Sequence, residues 1–231
     1  VNYAAEEEEE EAEEEIRADE EEVELFWESV LEGDLEMIDA LLVGDEEHPP
    51  AGISVEINDS QGRTPLMVLT SEGHGACVQW IIDQAEASVD AQDALYGQSA
   101  LHFAAVKGHS TIVELLLQRK ADPMQRDRAG WTPLHAAARS GSTDVAAVLF
   151  GILTEEQINS RGPSKQTALH RAAFWSQLSM VELLLKNGAN CDLLDADGRR
   201  AGDLIGAGVD QHSEMPTLQK LLERRMPAYD S

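Results

Sequence analysis

One phrase returns four times along this chain. It reads Thr64-Pro65-Leu66, then Ser99-Ala100-Leu101-His102, Thr132-Pro133-Leu134-His135 and Thr167-Ala168-Leu169-His170. The starting residues lie 35, 33 and 35 apart, and a weaker fifth copy begins at Arg200-Ala201, 33 further on. A period near 33 is the mark of a stacked repeat, in which each unit buries its apolar face only against its neighbours. That reading takes precedence over any single domain with one central core.

Each copy has the same internal logic. An Asp and a Gly precede the phrase, as in Asp59-Ser60-Gln61-Gly62 and Asp127-Arg128-Ala129-Gly130. Asp bonds nearby backbone and Gly tolerates positive φ, so a turn is expected there. The Thr caps a first helix, and Pro65 or Pro133 sits in its first turn, where the missing N–H is harmless. The pairs Ala104-Ala105, Ala137-Ala138 and Ala172-Ala173 let helices of adjacent repeats approach closely. Gly73, Gly108 and Gly141 end the first helix. A second amphipathic helix follows in each copy, through Val78, Ile81 and Ile82; Ile112, Val113, Leu115 and Leu116; Val145, Val148 and Leu149; and Val181, Leu183 and Leu184. Ahead of the first copy, Leu25, Phe26, Val30 and Leu31, then Leu35, Ile38, Leu41 and Leu42, predict two short helices around Glu32-Gly33-Asp34. A loop with Gly44, Pro49, Pro50 and Gly52 as breakers follows. Trp27 and Trp80 share the core periodicity and are expected inside.

These residues resemble the ankyrin-repeat family. Gly130-Trp-Thr-Pro-Leu-His-Ala-Ala-Ala-Arg-Ser-Gly141 follows the family phrase almost throughout, and Leu183-Leu-Leu-Lys-Asn-Gly-Ala-Asn190 follows its second-helix ending. The resemblance covers residues 23–226 and implies an all-α solenoid of helix–turn–helix repeats joined by β-hairpin fingers. It divides the chain into an acidic disordered tail (1–22), an N-terminal capping repeat with its loop (23–57), four repeats (58–91, 92–124, 125–159 and 160–192), a C-terminal capping repeat (193–226) and a short tail (227–231). In the last of these repeats Pro216 to Arg225 reads as a helix with Leu218, Leu221 and Leu222 inward. The departures are local. The second copy has an extra residue at Asp93-Ala-Leu-Tyr-Gly97. The fourth has Lys165 in place of the finger Gly and Ser176 in place of the mid-repeat Gly. The fifth has Gly202 where Leu is usual, so its first helix is expected to be weak.

Charge narrows the partner class. The formal net charge is -27, and residues 1–62 hold 24 acidic residues against one basic residue, Arg17. Phosphate recognition needs the opposite surplus, so nucleic acid and anionic membrane surfaces are disfavoured. No apolar run approaches the ~18 residues of a membrane span. The Glu6–Glu11 run repels itself at helical spacing and has nothing apolar to bury. Cys77 and Cys191 form neither a disulfide framework nor a C-x-x-C pair, which points to a reducing, intracellular compartment: cytoplasm or nucleus, with an organelle lumen still open. The sequence starts at Val1, which reads as a processed or partial chain.

Chemistry is sparse. His102, His135 and His170 occupy one repeat position, so they stand about 10 Å apart in a stack of helices, whereas ligands of one zinc lie about 2 Å from it. They are expected to hydrogen-bond within their repeats, and His74 and His109 likewise. Cys77 and Cys191 read as small buried fillers. There is no nucleophile motif, glycine-rich phosphate loop or H-E-x-x-H. Catalysis, a metal, a cofactor and a small-molecule substrate are therefore not expected.

The resemblance implies where a partner docks: on the finger tips and the exposed side of the first helices. Those positions hold Arg63 and Glu72 in the first copy, Leu95, Tyr96 and Lys107 in the second, Arg128, Trp131 and Arg139 in the third, and Phe174 and Trp175 in the fourth. Aromatic groups are enriched in binding hot spots. For Phe174 and Trp131 the alternative is packing between repeats. The expected function is non-catalytic protein recognition, by an adaptor or a chaperone or sorting factor for a basic or amphipathic segment. The alternative is a structural subunit of a larger assembly, with the acidic tail autoinhibitory or merely solubilising.

Overall fold

The computed structural model describes residues 20–44 and 51–208, with Thr217, Lys220 and Leu222 as further helical positions. Of the acidic tail expected over residues 1–22, residues 1–19 lie outside the described residues, as do the breakers Pro49 and Pro50, Leu218, Leu221 and the end 227–231, whereas residues 20–22 are helical. All regular structure among the described residues is helical. The chain forms two compact units, up to Ser88 and from Val89 onward.

The first unit contains α1 (20–32), α2 (Leu35–Leu42), α3 (Pro65–Glu72) and α4 (Gly75–Asp83). Asp34 caps α2 by accepting the Met37 N–H at 3.1 Å. Phe26, Val30 and Ile38 are fully buried, with Leu66, Met67, Leu69, Val78 and Ile81. Leu25 and Leu31 are instead exposed, because Phe26 and Val30, four apart, define the inner face and the other two flank it. Trp27 and Trp80 are only half-buried, a correction to the expected interior placement. Trp27 packs its ring against the edge of Phe26. Gly33 has φ +72°, and a Cβ there would meet the His74 ring at 2.4 Å. The close approach lets Leu31 O bond His74 Nε2 at 2.9 Å and lets Cys77 Sγ donate to Gly33 O at 3.2 Å.

The second unit repeats one hairpin of helices three times: α5 (Ala100–Lys107) with α6 (Ser110–Gln118), α7 (Pro133–Ser140) with α8 (Thr143–Phe150), and α10 (Ala168–Phe174) with α11 (Leu178–Lys186). A single extra turn, α9 (Glu155–Ile158), lies between the second and third. The first helices form one layer, α5 on α7 on α10, and the second helices form another, α6 on α8 on α11. Ala104, Ala105, Ala137, Ala138, Ala172 and Ala173 are all buried in the first layer. Methyl groups at these positions let the three helices pack closely, while Ile112, Leu116, Leu149, Val181 and Leu184 of the second layer are buried as well. The fifth copy forms only a 3-10 turn, Ala201–Leu204, packed on α10, and Gly202 lies against Leu222.

The fingers are hydrogen-bonded turns, and no described residue in them is in a β-strand. Asp93 accepts the N–H groups of Leu95, Tyr96 and Gln98, Asp127 accepts that of Trp131, and Asp195 accepts those of Asp197 and Arg199. Two backbone bonds join neighbouring tips, from Arg128 N to Tyr96 O at 2.8 Å and from Ala196 N to Ser164 O at 2.7 Å. Ladder pairing is thus reduced to at most one backbone bond per pair of tips, too little for a strand.

Candidate protein-binding face

The repeated histidines set the first helices. In the three copies that carry the histidine the N-cap N–H donates to the imidazole three residues on: Ser99 to His102 Nδ1 at 3.2 Å, Thr132 to His135 at 3.4 Å and Thr167 to His170 at 3.3 Å. An accepting Nδ1 leaves the proton on Nε2, which in His102 donates to Trp131 O at 3.0 Å and in His170 to Arg199 O at 3.2 Å. These rings therefore tie one helix start to the next finger. His135 Nε2 makes no such bond. Burial, and then the charge of Arg171, push the His135 pKa down to about 3, with the Gln166 and Ser160 carbonyls opposing. Burial also lowers the pKa of His102 and His170. No group of three His, Cys, Asp or Glu among the described residues is placed to hold a metal.

The ten positions expected at the interface fall into three kinds. Leu95 and Tyr96 are 52% and 65% exposed on a finger tip whose backbone Asp93 holds. Glu72, Lys107, Arg128 and Arg139 are exposed as well. Arg63, in the first unit, is committed to its own finger, donating from Nε to Asp59 Oδ2 at 2.7 Å. That bond and the N–H groups of Gln61 and Arg63 outweigh burial and hold the Asp59 carboxyl below its usual range.

Trp131, Phe174 and Trp175 are half-buried and form a cluster. The Trp131 ring lies over Gly162, where a Cβ would come within 2.5 Å of it, and 5.2 Å from the His135 ring. Phe174 meets Trp175 edge-on at 5.4 Å and covers Gly208, where a Cβ would sit 2.3 Å from it. Both therefore pack between repeats, and Phe174 still faces outward on one side. Arg139, Gln166, Arg171, Phe174 and Trp175 line a cavity of about 400 Å³. The Arg171 guanidinium stacks on Trp131 at 3.9 Å, and that of Arg139 lies 5.2 Å from the Trp175 ring. Burial first, then repulsion from Arg139, lowers the Arg171 pKa to about 10, and Asp127 opposes this.

Arg171 is the residue that sequence reasoning overlooked. Its position, directly after the repeated His, is Val68, Phe103 and Ala136 in the other copies. A cation at a position otherwise apolar was the available signal.

The sequence model described as "Ankyrin repeats (3 copies)" matches residues 26–127 and 121–195. The chain belongs to the ankyrin-repeat family. Inversin from Canis lupus familiaris is 34% identical over 142 residues, 61% of this chain and 13% of that protein. The probable E3 ubiquitin-protein ligase XBOS32 from Oryza sativa subsp. japonica is 30% identical over 158 residues, 68% of this chain and 31% of that protein. The chain thus spans a third or less of these relatives. A chain in the solved complex of the predatory endopeptidase Bd0816 from Bdellovibrio bacteriovorus with the immunity protein Bd3460 shares the fold, with TM-score 0.69 and 21% identity over 87% of this chain and 98% of that one. As an ankyrin-repeat chain this is a protein–protein interaction module. No helix among the described residues is long and apolar enough to cross a membrane.

Proposed function

We propose that this ankyrin-repeat chain is a non-catalytic adaptor or shielding factor that holds a segment of another protein on its finger tips and first helices. The observation behind this is the tip at Leu95 and Tyr96, 52% and 65% exposed. Asp93 fixes the backbone of that turn through three N–H bonds, so two large apolar groups are presented to water on a rigid support. Apolar groups held this way bury area on binding at little entropic cost. Lys107, Arg128 and Arg139 are exposed on the fingers and first helices of the same unit. The surplus of 24 acidic residues over one basic residue in residues 1–62 favours a partner segment that is basic or amphipathic.

Site-specific photo-crosslinking tests the face. A crosslinker at Tyr96 or Lys107 should trap the same discrete partner, and one at Glu114 or Glu182, exposed on the second helices, should trap none of it. Equal adducts from both sets would instead support a structural subunit that uses both faces.

A further inference from the structure

We propose that the cavity between α7 and α10 is a receptor for one carboxylate side chain, presented by an acidic residue that lies beside an apolar one in a partner protein. This rests on the recognition reading above and deepens it. Arg139 and Arg171 both reach the cavity, and each lies on an indole ring rather than on an acid. Arg171 Nε is buried without a hydrogen-bond partner. Two other arginines of the same unit are answered by acids: Arg199 binds Asp195 and Asp197, and Arg200 lies 3.8 Å from Asp192. Asp127 helps Arg171 only at a distance, because its Oδ1 accepts the Trp131 N–H at 2.8 Å. Two cations that repel each other in a half-enclosed site leave an electrostatic deficit that an anion would remove.

The walls choose the anion. A guanidinium stacked on an indole face keeps its edge free, and that edge matches the two oxygens of a carboxylate. Phe174 and Trp175 supply aromatic walls and Gln166 a neutral amide. A carboxylate sets both of its oxygens on that edge, whereas the third oxygen of a phosphate would face the aromatic walls, so a carboxylate fits better than a phosphate. The aromatic walls also explain the apolar neighbour: a residue flanking the acid covers Phe174 and Trp175. The partner segment therefore carries at least one acid within whatever basic or amphipathic character the first 62 residues select.

Selection from a displayed random-peptide library against the full chain, with Arg139→Gln as the counter-selection, tests this. Peptides that bind the parent and lose the variant should share one Asp or Glu next to an apolar residue. A synthetic copy should lose about tenfold in affinity when that acid becomes its amide, and a similar factor in Arg139→Gln or Arg171→Gln. Arg139 is exposed, so its variant keeps the fold even if the Arg171 variant does not. No acid at a fixed position, or retention by Arg139→Gln, overturns the proposal. So does tighter binding when the acid is replaced by phosphoserine. If peptides bind only after residues 1–22 are deleted, the chain's own glutamate run fills the cavity in the full chain, and the proposal that a partner's acid is its occupant there is overturned. Failure of the recognition reading is separate: it would show as crosslinks at Glu114 and Glu182, whatever the peptides do.

Discussion

Each of His102, His135 and His170 serves its repeat twice, by accepting from the helix N-cap and by filling a buried position. Both tasks need a neutral ring, and that has a consequence for pH. The unfolded chain binds a proton at each of these positions near the ordinary histidine value of about 6.5. The folded chain refuses it at His135 until about pH 3. A group whose folded pKa is depressed in this way, and which is neutral above that pKa, costs stability as pH falls. Its share is therefore complete above about pH 6.5 and shrinks steadily toward pH 3. His102 and His170 act in the same direction. Urea unfolding measured between pH 7.5 and 5 should show falling stability in the parent. His135→Gln should show a shallower slope, by at most about 1.4 kcal/mol per pH unit. Equal slopes would mean that the folded ring takes up a proton as readily as the unfolded one.

At the scale of the element, the helix ends separate what the chain needs from what it tolerates. The first helices of three copies end on Gly73, Gly108 and Gly141, all with positive φ. In the third repeat of the second unit Ser176 holds the same place at φ +54°, and its buried hydroxyl has no partner. Left-handed backbone is strained for a residue with a Cβ, and an unanswered hydroxyl adds to the strain. Ser176→Gly should therefore stabilise the chain by about 1 kcal/mol in chemical unfolding. Gly141→Ala should do the reverse, because a Cβ there would meet Gln177 Oε1 at 2.3 Å. A neutral or destabilising Ser176→Gly would contradict this account. The departure at Ser176 is plain in the sequence, as are the phrase, its period, the alanine pairs and the capping positions, because these are local rules repeated in register. The cavity was harder to read. Trp131, Phe174 and Trp175 stand out by residue type, but their stacking partners come from other copies: Gly162, Arg171 and Gly208. Which side of an aromatic ring faces a neighbour depends on packing between repeats, and the period alone does not contain that. Leu25 and Leu31 in α1 turned outward for a similar reason, since a short apolar cluster fits more than one helix face.

For the whole molecule the governing quantity is the uneven distribution of charge. Residues 1–62 hold -23 of the net -27, leaving -4 for the remainder. Like charges at that density repel, and compact states suffer more from the repulsion than expanded ones. Added salt screens it over a Debye length of about 8 Å at physiological ionic strength. Thermal stability should consequently rise from low salt to about 0.15 M sodium chloride, by about 2–4 °C if the relief is near 1 kcal/mol in a chain of this size. Deleting residues 1–22 removes 13 acidic residues and one basic residue, 12 of the 23 net negative charges in that quarter, and should roughly halve the rise. The sign is the informative part. A fall in melting temperature with salt would mean that attraction outweighs repulsion, so that the acidic quarter is answered by cations in the folded chain. Arg139 and Arg171 would then be the first to examine, because they are charged, half-enclosed or exposed, and unpaired with any described carboxylate. If Arg139→Gln abolished such a fall, the cavity would be neutralised from within the chain. A rise unchanged by Arg139→Gln leaves it open to a partner's acid.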